Sequence, residues 1–467
     1  MLRPSRLFVI LMTWHGLLGT LAFATGPGYQ VQKLANGLDI VTMESHKVPL
    51  VTIVLCSKAG AMTESEDING LTHLWEHMFF KGNQNLPNQE AFNRKIRQLG
   101  IVYNGDTSAE KVRYYFTLPS VNLVEGLKFM ADAIMTPLLE EKELERERRV
   151  VLDEWDRNAS SPGFDTHRLR LRMVYGQNAY RRDPLGIRPI IEKATREQLV
   201  RIKDEVFVPA NSSILIAGDF DATEVKGLVS QYFGPWQNPT GWKPITPPPF
   251  KAFPPSEEVV MVKPEAQNLN YTVVWNGPKA RTEQSESYAA DVLVTLLNNR
   301  SGRFYKKYVD SGQTFSTGFG YHTQSQAGEL LIYSMMDATK FAAVREALIK
   351  EPELWAKDDY FGEQEFQDVR RGLEIGHKFE INKPSEYIKT LAFWWAITGL
   401  DYYGDYLDNL KKIKLDDVRT FVRKYLINTP YNAVVLVSPK DAATASLKDN
   451  ATPLLSKFFS TPPSAKE

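Results

Sequence analysis

The sequence has one cysteine, no net charge and no long apolar run beyond its N-terminus, and each absence excludes a class of protein. Cys56 alone cannot form an internal disulfide, so a disulfide-stabilised scaffold is excluded. Lys plus Arg and Asp plus Glu both total 56, and a balanced chain lacks the basic surface that nucleic-acid binding requires. No later stretch reaches the roughly 18 apolar residues of a membrane span.

The remaining composition is that of a globular protein, with 467 residues of which 43% are hydrophobic and 24% charged. A chain of this length can bury enough apolar surface to fold without covalent cross-links, and it predicts more than one domain. Cys56 ends the strand-like run Val51–Cys56. We therefore interpret it as a small buried side chain rather than a reactive thiol.

The N-terminal residues differ from the rest of the chain. Arg3 and Arg6 precede an apolar run that ends at Ala22-Phe23-Ala24. Two cations, an apolar centre and an A-x-A ending are the layout of a secretory signal peptide. We therefore expect residues 1–24 to be removed and the mature protein to be exported to the bacterial periplasm, without stable membrane insertion. A retained membrane anchor and a mitochondrial presequence are the alternatives, although a presequence would be amphipathic and Arg-rich.

Eight prolines lie between Pro235 and Pro255. Because prolines fix φ and remove backbone donors, this stretch predicts an extended connector. It separates an N-terminal half, residues 25–236, from a C-terminal half, residues 259–467, with the linker at residues 237–258. Both halves mix strand-like and helical segments without the regular alternation of a parallel sheet, which indicates an α+β fold. We expect a duplicated α+β unit in which each half packs helices on a mixed or antiparallel sheet.

Apolar runs and helical periodicity predict the elements of both halves. The predicted strands are Leu38–Met43, Val51–Cys56, Val112–Leu118 with a paired neighbour, Ser213–Gly218, Val259–Val262, Asn270–Trp275, Gly328–Met335 and Ala433–Val437. The predicted helices include Leu71–Lys81, Val121–Met135, Glu140–Asn158 and Ser287–Leu297.

The helical segment Leu71–Lys81 carries the residues with the clearest chemistry. His73 and His77 are four residues apart, so they share one helix face and can bind one metal ion. Glu76 lies on a neighbouring part of that face. This is the pattern H-x-x-E-H, in which two imidazoles bind zinc and the carboxylate acts on water. The same spacing also occurs in helices whose histidines are only packed.

A hydrolytic zinc needs a third protein ligand and an open position. The charged helix Glu140–Asn158 contains Glu147 and Glu154, which are seven residues apart and therefore on one helix face. One of them could bind the metal while the other holds the second nitrogen of a ligand. Spacing does not decide which, and a solvated helix face is the alternative for both.

Three segments resemble the inverzincin peptidases, the family of pitrilysin, insulin-degrading enzyme and the mitochondrial processing peptidase β subunit. Gly70–Asn83 resembles the family's motif region, Asn104–Ser108 its Asn-Ala-x-Thr strand beside the zinc, and Glu147–Glu154 its E-x6-E helix. The resemblance covers residues 30–460. The chain length is that of the short, half-clamshell branch of the family, whose members pair two subunits around a closed chamber.

The resemblance implies one Zn2+ per chain, bound by His73, His77 and Glu154, in the N-terminal half alone. Glu147 would then lie behind the ligands, and Glu76 would act as the general base of a zinc-dependent endopeptidase.

The resemblance also implies how substrates bind. Unfolded or short peptides would add as a strand to the sheet edge near Asn104–Ser108, where Asn104 contacts the substrate.

The sequence departs from the family in the C-terminal half, where family members carry an Arg and a Tyr that contact the substrate carbonyl. The corresponding positions hold Val309 and Phe315, which have no side-chain donor, and Arg303 or Tyr308 is the nearest replacement. We therefore expect a heterodimer in which a homologous subunit without the zinc motif supplies this pair, with a homodimer as second choice.

A different class of function is a catalytically silent structural subunit of a larger complex. The intact set of His73, Glu76, His77 and Glu154 argues against it, because a silent subunit needs none of them.

Overall fold

The computed structural model describes residues 24–26, 28–245, 250, 258–452 and 454–455. Residues 1–23 of the predicted signal peptide lie outside these residues, as do residues 246–249 and 251–257 of the predicted linker. Across the described part of the chain, no helix combines the length and the apolar character needed to cross a bilayer.

The N-terminal half is built on a seven-stranded sheet. Its strands are β1 Ala24–Gly26, β2 Tyr29–Lys33, β3 Asp39–Glu44, β4 Leu50–Ser57, β5 Val102–Thr107, β6 Val112–Pro119 and β7 Ser212–Gly218. Their order is β1-β2-β3-β7-β4-β6-β5, and only β3 and β7 pair in parallel. The central strands β4 and β7 are buried almost throughout, as expected where both faces of a sheet are covered, whereas β5 lies at an edge.

The C-terminal half is built on a five-stranded sheet. Its strands are β8 Val259–Val262, β9 Leu269–Asn276, β10 Ser316–Thr323, β11 Gly328–Met336 and β12 Tyr431–Val437. Their order, β8-β12-β9-β11-β10, repeats the order β3-β7-β4-β6-β5, and β8 and β12 form the matching parallel pair. The prediction of two related α+β halves is confirmed.

Helices surround both sheets. Those of the N-terminal half are α1 Leu71–Phe79, α2 Gln89–Leu99, α3 Leu123–Met135, α4 Glu141–Ala159, α5 Gly163–Tyr175, α6 Arg188–Glu192, α7 Arg196–Val206 and α8 Ala222–Phe233. Those of the C-terminal half are α9 Gln284–Leu297, α10 Arg303–Tyr305, α11 Phe341–Trp355, α12 Glu363–Ile381, α13 Pro384–Ile397, α14 Leu400–Gly404, α15 Tyr406–Lys412, α16 Leu415–Tyr425 and α17 Pro439–Thr444.

One helix of each half packs on the sheet of the other half. Helix α13 lies against β4 and β7, and helix α5 lies against β9 and β12. A continuous apolar cluster therefore contains Val54 and Leu215 from the first sheet together with Leu391 from α13. Cys56 is fully buried in this cluster, where its Sγ donates to the carbonyl of Ala392 at 3.5 Å. Its interpretation as a packed side chain is confirmed.

Because the two halves share this cluster, we expect the protein to unfold in one cooperative transition. Leu391 is fully buried, so Leu391→Ala should lower the free energy of unfolding by about 2–5 kcal/mol without splitting the transition. The matched control is Val121→Ala at a site 88% exposed, which should change it by less than about 0.5 kcal/mol. Urea denaturation followed by circular dichroism measures both, and two separate transitions would contradict the shared core.

Candidate metal centre

Helix α1 begins at a tight turn that a buried carboxylate caps. Gly70 has φ 103°, and a Cβ there would lie 2.8 Å from the Cα of Gly186, so only glycine fits. Glu64 accepts the backbone N–H groups of Gly70 at 2.9 Å and Thr72 at 2.7 Å, and the side-chain amide of Asn69 at 2.8 Å. These contacts satisfy N–H groups that the helix leaves unpaired, and they fix the start of α1.

The apolar face of α1 fixes its rotation. Leu74, Trp75 and Met78 are buried, and the ring of Trp75 packs against Phe207 with centroids 5.1 Å apart. The opposite face of the helix contacts α4, so the hydrophobic effect that buries one face presents the two histidines to α4 on the other.

Three predicted ligands meet between α1 and α4. The Nε2 atoms of His73 and His77 each lie 3.8 Å from Oε2 of Glu154. The ligand atoms of all three residues lie within 4.8 Å of one another. Donors bound at about 2.1 Å in tetrahedral geometry are about 3.4 Å apart, so this set fits a zinc ion with little movement. Two imidazole nitrogens and one carboxylate oxygen are also the donors of catalytic zinc sites.

Glu147 lies behind His77, as the resemblance implied. Its Oε2 is 3.1 Å from Nδ1 of His77, and its Oε1 is 2.6 Å from Nζ of Lys81. Burial raises the pKa of Glu147, but the bonds from His77 and Lys81 outweigh it and hold the pKa below its usual value. Glu147 is thus a carboxylate that accepts the Nδ1–H of His77 and leaves Nε2 for a metal.

Lys81 is a site residue that sequence reasoning missed. It is four residues after His77 in the sequence and two residues beyond the end of α1, a spacing that could have indicated it. His73 differs from His77, since its buried Nδ1 has no hydrogen-bond partner among the described residues. Burial, with a smaller contribution from His77, lowers the pKa of His73 to about 3, so its imidazole is neutral and able to bind a metal.

Glu76 lies beside the ligands and against β5. It is 8% exposed, and its Oε2 accepts the hydroxyl of Thr107 at 2.6 Å. A Cβ added to Gly105 would lie 2.7 Å from its Oε1, so this strand approaches the carboxylate closely. Burial raises the pKa of Glu76, and the Thr107 bond offsets this only in part. A carboxylate with a raised pKa is a better proton acceptor.

The strand beside Glu76 has a free edge. Only β6 pairs with β5 among the described strands, and Asn104 in the middle of β5 is exposed. The Oδ1 of Asn104 accepts the backbone N–H of Gly105 at 3.0 Å. Strand β5 therefore reaches Glu76 through Thr107, and its outer edge pairs with no other described strand.

Tyr308 and Arg303, the two residues considered as replacements for the missing Arg and Tyr, both form hydrogen bonds within the C-terminal half. Tyr308 is buried in the C-terminal half, and its hydroxyl donates to Oε2 of Glu351 at 2.7 Å. The guanidinium of Arg303 donates to the carbonyl of Asp359 at 2.7 Å. Neither contact involves the metal centre.

Two related α+β halves, one of them with an H-x-x-E-H helix facing a glutamate, define a two-half metallopeptidase fold. A family model described as Insulinase (Peptidase family M16) matches residues 39–190, and one described as Peptidase M16 inactive domain matches residues 193–373. The chain belongs to peptidase family M16.

Individual relatives support this assignment. The chain is similar to zinc protease PqqE of Helicobacter pylori, with 24% identity over 88% of this chain and 93% of that protein. Its fold is similar to that of a protease from Helicobacter pylori, with a TM-score of 0.81 and 20% identity over 88% of this chain and 100% of that one. The fold is also similar to that of the periplasmic protease PqqL of Escherichia coli. The TM-score of this comparison is 0.76, with 18% identity over 96% of this chain and 52% of that one.

We expect the protein to bind one zinc ion per chain. Its affinity for zinc should depend on the three ligands and also on Glu147, which holds a ligand in place. Glu154→Ala should abolish tight binding, because it removes a ligand. Glu147→Gln should weaken binding about 10–100-fold, because it loosens His77 without removing a ligand. Competition titration with a zinc chelator of known affinity measures both. Glu145→Gln is the matched control on the exposed side of α4, and an equal loss of affinity there would contradict the assignment.

Proposed function

We propose that the protein is a zinc-dependent endopeptidase that cleaves unfolded or short peptides. The observation that carries this proposal is the meeting of His73, His77 and Glu154 next to Glu76, at the end of an exposed sheet edge. His73, His77 and Glu154 would hold the metal. When bound, zinc supplies Lewis-acid chemistry, since it polarises a carbonyl and lowers the pKa of water.

Glu76 is the proposed general base. Its Oε2 is held by Thr107, so Oε1 remains to take a proton from the attacking water and to pass it to the nitrogen of the leaving amine. The low exposure of Glu76 limits competing water, and its raised pKa favours proton uptake.

The edge of β5 is the proposed substrate site. An extended peptide that pairs with β5 would form main-chain hydrogen bonds, which tolerate many sequences. Asn104 is exposed on this strand and would contact the peptide. Strand β5 ends at Thr107, so such a peptide would lead its backbone towards Glu76.

The proposed active form is a heterodimer with a homologous subunit that lacks the zinc motif. Arg303 and Tyr308 are bound within the C-terminal half, which supports a donor pair that comes from another chain. A homodimer is the second choice. The pattern of the first 24 residues and the likeness to a protease described as periplasmic support export to the periplasm.

A catalytically silent structural subunit is the competing function. Burial and bonding of Glu147, Lys81 and Thr107 around the ligands argue against it, because these groups orient a metal site and contribute nothing to a surface for other subunits.

Glu76→Gln should lower kcat at least about 100-fold, because the amide cannot accept the proton, while zinc remains bound in a 1:1 ratio. Hydrolysis of a quenched fluorescent peptide, with and without a chelator, measures activity, and elemental analysis measures zinc. The matched control is Glu90→Gln on α2, whose side chain is 78% exposed. Full chelator-sensitive activity of the Glu76→Gln protein would show that another group is the base.

The native assembly should contain two kinds of homologous chain. Native mass spectrometry of protein purified from its own cells identifies them, and adding the second chain should raise the hydrolysis rate about 100-fold, the size expected for oxyanion donors. Full activity from this chain alone would contradict the heterodimer.

A further inference from the structure

The hairpin of β5 and β6 carries a buried carboxylate, Glu110, that binds the C-terminal half at the hairpin tip. Further along β6, the guanidinium of Arg113 also donates to the carbonyl of Lys389 at 2.8 Å. The Oε1 atom of Glu110 accepts the hydroxyl of Tyr180 at 2.5 Å, and Oε2 accepts the backbone N–H of Ser325 at 2.9 Å. The hydroxyl of Ser325 also donates to Oε1. All three residues are buried. We call Glu110, Tyr180 and Ser325 the hairpin anchor.

The turn of the C-terminal half that contains Ser325 is itself held in place by hydrogen bonds. Ser325 lies in the turn between β10 and β11, and its carbonyl accepts the N–H of Arg281 at 3.2 Å. The preceding residue, Gln324, accepts the N–H of Ala280 at 3.0 Å and the hydroxyl of Tyr175 at 2.7 Å. Glu110 therefore binds a turn that three hydrogen bonds from two other segments already hold in place.

The hairpin tip also contacts the segment that precedes α1. The carbonyl of Ser108 accepts the N–H of Ala61 at 3.2 Å, and that of Ala109 accepts the N–H of Met62 at 2.8 Å. Gly60 has φ 123°, and a Cβ there would lie 2.1 Å from the Ser108 carbonyl. Two residues after Met62 comes Glu64, which caps α1.

The same hairpin holds the proposed base. Thr107, the last residue of β5, donates to Glu76, and the N–H of Ser108 donates to the carbonyl of Lys111 at 2.9 Å to close the turn. Glu110 is only three positions after Thr107 in the sequence. A shift of the tip would therefore displace Thr107 from Glu76 and move the strand that receives the peptide.

We propose that Glu110 is a positioning residue for peptide hydrolysis, and this role rests on the proposed function. By binding Tyr180 and Ser325, Glu110 holds the β5–β6 hairpin between the C-terminal half and the start of α1, and so keeps Thr107 on Glu76. It acts through the hairpin and contacts neither substrate nor metal.

The test compares two tyrosines that make the same kind of bond. Tyr180→Phe removes one hydroxyl from Glu110. Tyr308→Phe removes one hydroxyl from Glu351, a buried carboxylate within the C-terminal half. Both tyrosines are 2% exposed and both donate to a buried carboxylate. The Tyr180 hydroxyl also contacts Oγ of Ser325 at 3.1 Å and accepts the N–H of Gln326 at 3.2 Å, so Tyr180→Phe loosens the turn that Glu110 binds as well. Zinc content, kcat, KM and amide hydrogen exchange of residues 102–112 are measured for both, on the full chain in its active assembly.

We expect Tyr180→Phe to lower kcat about fivefold with KM changed less than about twofold, because small misplacements of catalytic groups reduce rate steeply. Its zinc content should be unchanged, and exchange in residues 102–112 should be faster. Tyr308→Phe should match the original protein in all four measurements. Glu110→Gln replaces one of the two accepting oxygens by an amide donor, so the side chain can no longer accept from the Ser325 N–H and from both hydroxyls in their present arrangement. It should lower kcat about tenfold or more, also without loss of zinc.

Unchanged kcat in Tyr180→Phe and Glu110→Gln would overturn the positioning role, and so would an equal loss of kcat in Tyr308→Phe. A loss of kcat without faster amide exchange in residues 102–112 would also overturn the positioning role, because the substitution would then lower kcat without loosening the hairpin. Absence of chelator-sensitive hydrolysis in the original protein would refute the proposed function itself, and the positioning role with it.

Discussion

Helices α1 and α4 meet at one cluster of side chains, in which Glu154 lies between the imidazoles of His73 and His77 and Glu147 lies behind His77. Bringing two carboxylates and two imidazoles this close costs hydration free energy, because carboxylates that leave water need a cation or hydrogen-bond donors in its place. Lys81 offsets the charge of Glu147, and a divalent cation would satisfy the other three. The packing of the rest of the N-terminal half holds α1 and α4 at this distance, and we call it the frame of the metal centre.

That frame extends into the C-terminal half. The start of α1 depends on Glu64 and on the close approach of Gly70 to Gly186, and the segment before it rests on the β5–β6 hairpin. The exchange of α5 and α13 between the two sheets makes the halves one packed body. A half that carries no metal ligand among its described residues can therefore still determine the geometry of the metal centre.

Local signals explain what the sequence predicted well. The predicted strands and helices differ from those of the structure by at most three residues at their ends, because apolar periodicity of buried strands and amphipathic helices is a property of neighbouring residues. His73 and His77 follow from helix geometry in the same way. Sequence spacing could not show which of Glu147 and Glu154 is the metal ligand, because both lie on one face of α4. Only their contacts with opposite nitrogens of His77 distinguish them. The family resemblance, not periodicity, pointed to Glu154.

Long-range contacts explain what the sequence could not show. Glu110 and Ser325 are separated by 215 positions and are each unremarkable in their local sequence. X-ray absorption at the zinc edge of the purified protein tests most directly whether two imidazoles and one carboxylate of this chain hold a zinc ion. Nitrogen and oxygen neighbours are expected at about 2.0–2.2 Å from the zinc, with the outer-shell scattering of two imidazoles. A folded protein that binds no zinc, or zinc without imidazole scattering, would contradict this zinc site.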